Sequence, residues 1–139
     1  MSRLLGTSGL RDPVAAHLSG GLPAFGTCAG LILLARAVAD GRPDQRSFGV
    51  LDVAVVRNGY GRQRESFEVA MPVEGVGGPL FTGVFIRAPR VTSVGEGVDV
   101  LASVDGDPVL VRQGPLLAAA FHPELAGDLR LHHLFLERV

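Results

Sequence analysis

The stretch Leu22-Pro-Ala-Phe-Gly-Thr-Cys-Ala-Gly-Leu-Ile-Leu-Leu-Ala35 decides the fold. Its first part, residues 22–26, is a short apolar run between glycines and predicts a buried strand. From residue 29 to residue 40, apolar side chains recur at helical spacing, and this pattern predicts a helix that a glycine and a proline terminate. The tight turn between strand and helix holds Cys28. A strand that leads directly into a helix is typical of α/β proteins, so we expect that fold class.

The remaining sequence predicts further helices and strands. A helical region spans residues 4–19, interrupted at residues 6–9, with Asp12 as a candidate cap before Pro13. The Asp105-Gly106 pair is a strong hairpin signal, because glycine accepts the positive φ of a primed turn. Together these patterns predict a largely parallel sheet with an antiparallel extension. The predicted strands are residues 48–56, 66–72, 84–86, 98–104, 108–113 and 116–121, and the last predicted helix is residues 129–138.

Composition limits the possible functions. A chain of 139 residues with 47% hydrophobic residues fits one packed domain, and its net charge of -1 does not favour nucleic acid or anionic membranes. The longest apolar run, residues 29–35, is far shorter than the roughly 20 residues that cross a bilayer, and residues 1–9 do not resemble a signal peptide. Because Cys28 is the single cysteine, an internal disulfide and a zinc cluster of several thiolates are excluded. We therefore expect a cytoplasmic protein.

The motif Gly26-Thr-Cys-Ala-Gly30 has the form of a nucleophile elbow with sulfur in place of a hydroxyl. Flanking glycines allow the strand and the helix to approach each other, and the corner residue is raised above the sheet. Backbone N–H groups at the helix start favour a thiolate, and that of Ala29 is the natural first oxyanion donor. The alternative is that Cys28 is a small buried hydrophobic residue, as most cysteines are.

A second motif, Phe121-His-Pro-Glu124, lies at the end of an apolar strand. A thiol nucleophile needs a base, and the base needs a group that orients it. His122 is placed to be that base, and Glu124 could fold back onto its imidazole if Pro123 fixes the turn. Taken alone, His122 fits better a histidine that faces solvent at a strand end. The other histidines are predicted to be a helix surface residue, His17, and two residues of the last helix, His132 and His133.

Four strings in order resemble the class I glutamine amidotransferases, and most closely the glutaminase subunits of pyridoxal 5′-phosphate synthase. They are Phe25-Gly-Thr-Cys-Ala-Gly-Leu-Ile-Leu-Leu-Ala35, Arg57-Asn-Gly-Tyr-Gly-Arg-Gln-Arg-Glu-Ser-Phe-Glu68, Phe81-Thr-Gly-Val-Phe-Ile-Arg-Ala-Pro89 and Phe121-His-Pro-Glu-Leu125. The resemblance implies a flavodoxin-like fold, no cofactor or metal, and a β/α-barrel synthase subunit as the partner that receives the ammonia.

The resemblance also implies roles for individual residues. Cys28 would attack the side-chain amide of L-glutamine, His122 would transfer protons, and Glu124 would orient His122. Family positions that contact glutamine match Arg57, Ile86 and Arg87. An arginine fork can pair both oxygens of the substrate carboxylate. The alternative is a solvated basic surface for Arg57, Arg62, Arg64 and Arg87. Without the resemblance, this alternative is preferred for Arg62 and Arg64, which are not assigned to the site.

The family normally begins with a strand, a helix and a second strand that ends in a proline-glycine-glycine-glutamate-serine loop, and this sequence has no such segment. We therefore expect one domain, residues 1–139, that is incomplete at its N-terminus and lacks the first strands. Either the start of the chain is misassigned, or the chain is a truncated or deliberately shortened product with poor glutaminase activity. The same motifs also fit a different amidotransferase, or a subunit that binds its partner without turnover.

Overall fold

The computed structural model describes residues 1–41, 44–60 and 66–137. Helices and strands are mixed along these ranges. The helices are α1 (Ser2–Thr7), α2 (Arg11–Ser19), α3 (Ala29–Leu34) and α4 (Arg130–Leu136), with a short 3-10 helix at Pro123–Leu125. The strands are β1 (Ala24–Thr27), β2 (Ala35–Val38), β3 (Leu51–Val56), β4 (Ser66–Met71), β5 (Phe81–Ile86), β6 (Arg90–Val94), β7 (Asp99–Val104), β8 (Asp107–Gln113) and β9 (Leu116–Ala119).

The strands pair in three groups. One sheet has the order β1-β9-β8-β7, in which β1 and β9 are parallel and the other pairs are antiparallel. A second has the order β2-β3-β6, with a parallel and an antiparallel pair, and β4 pairs with β5 as an antiparallel hairpin. The α/β class and the combination of parallel and antiparallel pairing are confirmed. Four of the six strand pairs in the described ranges are antiparallel. The antiparallel part is therefore larger than in the largely parallel sheet that the sequence predicts.

The C-terminal meander follows the sequence prediction closely. The turn between β7 and β8 has φ of 52° at Asp105 and 86° at Gly106, as a primed two-residue turn requires. Gly114, at the turn between β8 and β9, has φ of 55°. These turns set the register in which β9 lies between β8 and β1.

The predicted helix over residues 29–40 is wrong in its second half. The helix α3 ends at Leu34, and β2 continues directly from it as a parallel neighbour of β3. An edge of β3 would otherwise leave backbone groups unpaired, and β2 supplies their partners. Arg36 of β2 also forms an ion pair with Asp52 of β3, at 3.0 Å. Tertiary pairing thus outweighs the helical spacing of the sequence.

The predicted cap of α2 is also wrong. Leu10 is the N-cap and makes no side-chain bond, and Asp12 and Pro13 lie inside the first turn. Proline is tolerated there because N–H groups of the first turn have no partner within the helix. The strand β6 has no counterpart in the sequence prediction. Residues 61–65 of the predicted polar loop, and residue 138 of the predicted last helix, lie outside the described residues.

The core is built around β9 and the residues that follow it. All four residues of β9 are buried, and Ala120 and Phe121 are fully inaccessible. Strands covered on both faces read as continuous apolar runs, which explains the sequence of this segment. Phe121 packs against Phe85 of β5 with ring centroids 5.4 Å apart. The core therefore fixes the point at which the chain leaves β9. Across the described ranges, no helix combines the length and apolarity needed to span a membrane.

Candidate active site

Cys28 occupies a strained corner between β1 and α3. Its φ is 48° and its ψ is -103°, a conformation that non-glycine residues rarely adopt and that costs about 1–3 kcal/mol. Its N–H donates to the Ala119 carbonyl at 2.8 Å, which ties the corner to the end of β9. Such strain persists only where surrounding structure imposes it, and here β9 and the core beneath it do so.

The two glycines of the elbow motif differ in function. A Cβ at Gly26 would lie 2.8 Å from the backbone carbon of Gly30 and 2.7 Å from Leu34 Cδ1, so only glycine fits at that position. A Cβ at Gly30 would meet nothing within 4 Å. The close approach of strand and helix therefore requires a glycine at position 26. The sequence predicted the same requirement for Gly30, where the structure has room for a Cβ.

His122 and Glu124 form a hydrogen-bonded pair just beyond β9. The His122 N–H donates to the Val84 carbonyl of β5 at 2.8 Å, which fixes the backbone of the histidine. The 3-10 helix that starts at Pro123 turns the chain back, and Nδ1 of His122 lies 2.7 Å from Oε1 of Glu124. The imidazole side chain is 24% exposed, so it is reachable from solvent.

Several of the predicted site residues converge on the sulfur. The Cys28 Sγ lies 4.0 Å from the Ile86 carbonyl oxygen, at the end of β5. The Ala29 N–H is hydrogen-bonded to this sulfur, and the charge of Glu124 acts on it electrostatically. The parallel pairing of β1 with β9 accounts for the convergence, because both chains emerge at the same edge of the sheet.

Burial raises the pKa of the Cys28 thiol, and the opposing hydrogen bond from the Ala29 N–H is too weak to compensate. The negative charge of Glu124 raises this pKa further. The resting sulfur is therefore a protonated thiol at neutral pH. As expected, an N–H group at the start of the helix lowers the thiol pKa and so favours the thiolate. The increase in pKa that burial causes is larger.

The Glu124 carboxyl is shifted in the opposite direction. Partial burial alone would raise its pKa, but hydrogen bonds from His122 and from a backbone N–H, together with the charges of His122 and His132, hold this pKa below its ordinary value. Glu124 is therefore a carboxylate over most of the pH range and remains a hydrogen-bond acceptor for His122.

The two arginines predicted to contact substrate lie in different settings. Arg57 follows β3, its N–H donates to Asp40 Oδ1 at 2.6 Å, and it borders a cavity of about 240 Å³ that Ala29 also lines. Arg87 is exposed directly after Ile86 and has φ of 43°. The structure thus brings Arg57 and Ala29 to one cavity, and Ile86 and Arg87 to the neighbouring strand end. Arg62 and Arg64 lie outside the described residues.

Two features near the site are not indicated by the sequence. The ring of Tyr60 packs on Phe67 and Phe85 and so joins the segment after Arg57 to β5. His132 of α4 packs on Phe25 of β1, where a helix-surface histidine would face solvent. His17, by contrast, is exposed on α2 as predicted. In residues 1–41, 44–60 and 66–137, no group of three or more His, Cys, Asp or Glu side chains could hold a metal ion.

Comparison with known proteins identifies the family of the chain. The model of the SNO glutamine amidotransferase family matches residues 1–139. A protein of Parafrankia sp. (strain EAN1pec), named pyridoxal 5'-phosphate synthase subunit PdxT, is 58% identical over all of this chain and 68% of its own length. The protein of the same name from Streptomyces coelicolor is 52% identical over all of this chain and 69% of its own length.

A crystal structure described as a glutamine amidotransferase superposes with a TM-score of 0.89 at 51% identity, and the match covers 98% of this chain and 71% of that one. The chain therefore belongs to the SNO glutamine amidotransferase family.

Proposed function

We propose that this chain hydrolyses L-glutamine to glutamate and ammonia through Cys28, His122 and Glu124. The observation that carries the proposal is the geometry at the ends of β1 and β9, where a strained cysteine and a His–Glu pair 2.7 Å apart leave the same edge of the sheet. Neither group alone would be specific, because buried cysteines and strand-end histidines are common.

In this mechanism His122 removes the proton from the Cys28 thiol, and the sulfur attacks the carboxamide carbon of glutamine. The N–H of Ala29 stabilises the oxyanion that forms, and Glu124 stabilises the imidazolium. The C–N bond then breaks, His122 returns its proton to the departing ammonia, and a thioester remains. Water activated by His122 hydrolyses the thioester and releases glutamate. The raised pKa of the Cys28 thiol supports a need for this base.

For the substrate we propose that Arg57, Ile86 and Arg87 contact glutamine. The cavity shared by Arg57 and Ala29, and the Ile86 carbonyl 4.0 Å from the sulfur, support this assignment. A guanidinium can pair both oxygens of the α-carboxylate. Since relatives at 52–58% identity are named pyridoxal 5'-phosphate synthase subunits, we further propose that the ammonia passes to the β/α-barrel synthase subunit.

The test is release of glutamate and ammonia from L-glutamine by the chain, alone and with the barrel subunit. We expect turnover that requires Cys28, so that Cys28→Ser abolishes it, and that increases when the barrel subunit is added. If the rate of glutamine hydrolysis is the same with and without the barrel subunit, the chain would be a different amidotransferase. Binding of the barrel subunit without any release of ammonia would favour a subunit that docks but does not catalyse.

A further inference from the structure

The turn after β3, residues 57–60, begins with a candidate substrate residue and is held by two hydrogen bonds. At its start, the Arg57 N–H donates to Oδ1 of Asp40 at 2.6 Å. Further along, the Gly59 N–H donates to the Ala88 carbonyl at 3.0 Å. The bond to Asp40 is short and has a carboxylate as acceptor, and such bonds are stronger than those between neutral groups. Asp40 is therefore the side chain that attaches the start of this turn.

Asp40 has a defined place although its side chain is exposed. It lies two residues beyond the end of β2. The Ala39 N–H donates to the Val55 carbonyl at 2.9 Å, so the pairing of β2 with β3 continues to the residue before Asp40. Backbone hydrogen bonds thus bring the carboxylate beside the end of β3.

The chain changes direction where Asp40 contacts it. Strand β3 ends at Val56, and Asn58 has φ of 47°, a left-handed conformation that asparagine tolerates better than most residues. An N–H group that leaves a strand ladder needs another partner, and Asp40 supplies it for Arg57. The direction in which the chain leaves β3 therefore depends on this carboxylate.

The side chain of Arg57 starts from this fixed point. It borders the cavity of about 240 Å³ that Ala29, the candidate oxyanion donor, also lines. Asp40 accepts from the backbone N–H of Arg57, so this hydrogen bond fixes the residue without using the guanidinium. The guanidinium keeps its own donors for a carboxylate in the cavity.

We infer that Asp40 is a positioning residue that fixes Arg57 at the edge of the cavity, where Arg57 binds the α-carboxylate of glutamine. The inference rests on the proposed function, since it concerns the same substrate site. The α-carboxylate takes no part in bond breaking, so its contact with Arg57 is the same before and during the reaction. Loss of Asp40 should therefore raise KM for glutamine and leave kcat unchanged.

The decisive variant is Asp40→Ala, which removes the acceptor. Asp40→Asn is the conservative variant, because its side-chain oxygen can still accept from the Arg57 N–H, and it should restore most of the native KM. The matched control is Asp12→Ala, at another exposed aspartate, in α2. Should Asp40→Ala fail to fold, Asp40→Glu keeps the charge, moves the carboxylate by one methylene group and should also raise KM. All proteins are studied as the full chain, with the barrel subunit present for kinetics.

Two measurements decide the inference. In amide hydrogen exchange followed by NMR, the Arg57 amide should exchange faster in Asp40→Ala than in the native chain, and Asp12→Ala should not change its rate. In glutamine hydrolysis, KM should rise by about 2- to 10-fold in Asp40→Ala, as the loss of one hydrogen bond predicts, with kcat unchanged.

An unchanged KM in Asp40→Ala, or an unchanged exchange rate of the Arg57 amide, overturns the inference. A fall in kcat at constant KM also overturns it, because Asp40 would then act on the chemical step. If the native chain neither binds nor hydrolyses glutamine, the proposed function fails. The exchange rate of the Arg57 amide then still decides whether Asp40 fixes Arg57.

Discussion

At the scale of single residues, the site combines a sulfur that is hard to ionise with a carboxylate that is easy to ionise. Burial keeps the Cys28 thiol protonated. The Glu124 carboxyl stays negative because of the hydrogen bonds that it accepts. The His122 imidazole is hydrogen-bonded to this carboxylate and is the group suited to accept the thiol proton. The sulfur therefore depends on a nearby base if it is to react as a thiolate at neutral pH.

Replacement of Glu124 by glutamine should change two rates in opposite directions. Turnover of glutamine should fall by about 10- to 10⁴-fold, because His122 loses its orienting charge. Modification of Cys28 by iodoacetamide should become faster, because the negative charge that raises the thiol pKa is gone. Glu137→Gln, at an exposed position beyond α4, is the control and should leave both rates unchanged. A parallel fall of both rates would contradict this account.

The pH dependence of Cys28 follows from the same shift. Since the thiol pKa is raised from its ordinary value of 9.0, the reactive thiolate is scarce below that pH and increases as the pH rises through the folded-state pKa. In the absence of glutamine, iodoacetamide should modify Cys28 more slowly than free cysteine at pH 8. The difference between the modification rates of Cys28 and free cysteine should become smaller above pH 9. Mass spectrometry of the modified chain measures the rate for Cys28. A Cys28 that reacts faster than free cysteine at pH 8 would show that the thiol is already ionised.

Tyr60 offers a test of stability. Burial raises the pKa of its hydroxyl to about 12, and the charge of Asp107 adds to the shift. Its hydroxyl is buried and has no hydrogen-bond partner in the described ranges. Tyr60→Phe removes this oxygen and keeps the ring packing, so the free energy of unfolding should stay equal or rise by up to about 1 kcal/mol in urea titrations. A loss of more than about 1 kcal/mol would reveal a hydrogen bond to the hydroxyl.

At the scale of elements, the elbow explains why the glycine pattern of the sequence is only partly informative. Both Gly26 and Gly30 match the motif, but only Gly26 lacks room for a Cβ. The sequence carries the order strand, corner, helix, because its apolar spacing and glycines are local signals. It does not carry the length of α3, because the strand after Leu34 forms only when β3 is beside it.

Replacement of Gly26 and of Gly30 by alanine should therefore have different effects on stability. Gly26→Ala should destabilise the fold by about 1–3 kcal/mol, because its methyl group would overlap the backbone of Gly30. Gly30→Ala should be neutral or stabilise by up to about 1 kcal/mol, because alanine is the better helix former and has open space there. Urea titration of both variants is the measurement. Equal destabilisation by the two would contradict the difference in their packing.

At the scale of the whole molecule, the α/β class and the candidate site residues follow from local motifs, and the sheet topology does not. The meander from β7 to β9 was predictable because Asp105-Gly106 specifies its own turn. The separate β2-β3-β6 sheet was not, because parallel pairing between distant segments leaves no local signal. The same holds for His132, whose contact with Phe25 joins residues more than a hundred positions apart.

During unfolding, the arrangement of Cys28 and His122 should be lost when strand β9 separates from its neighbours. In increasing urea, labelling of Cys28 by a glutamine-like electrophile should disappear together with the protection of the β9 amides from hydrogen exchange. The amides at the Asp105-Gly106 hairpin tip should exchange earlier and serve as the internal reference. Labelling that disappears well before β9 opens would show that another element holds the site together.

This dependence has a mechanical consequence. The end of β9 accepts the hydrogen bond of Cys28 at Ala119, and His122 follows only three residues later. A displacement of β9 therefore carries sulfur and imidazole in the same direction, and the gap between them changes less than the position of either. Strand β9 therefore acts as a common support for Cys28 and His122, and their mutual alignment depends on this strand more than on the outer hairpin at Asp105-Gly106.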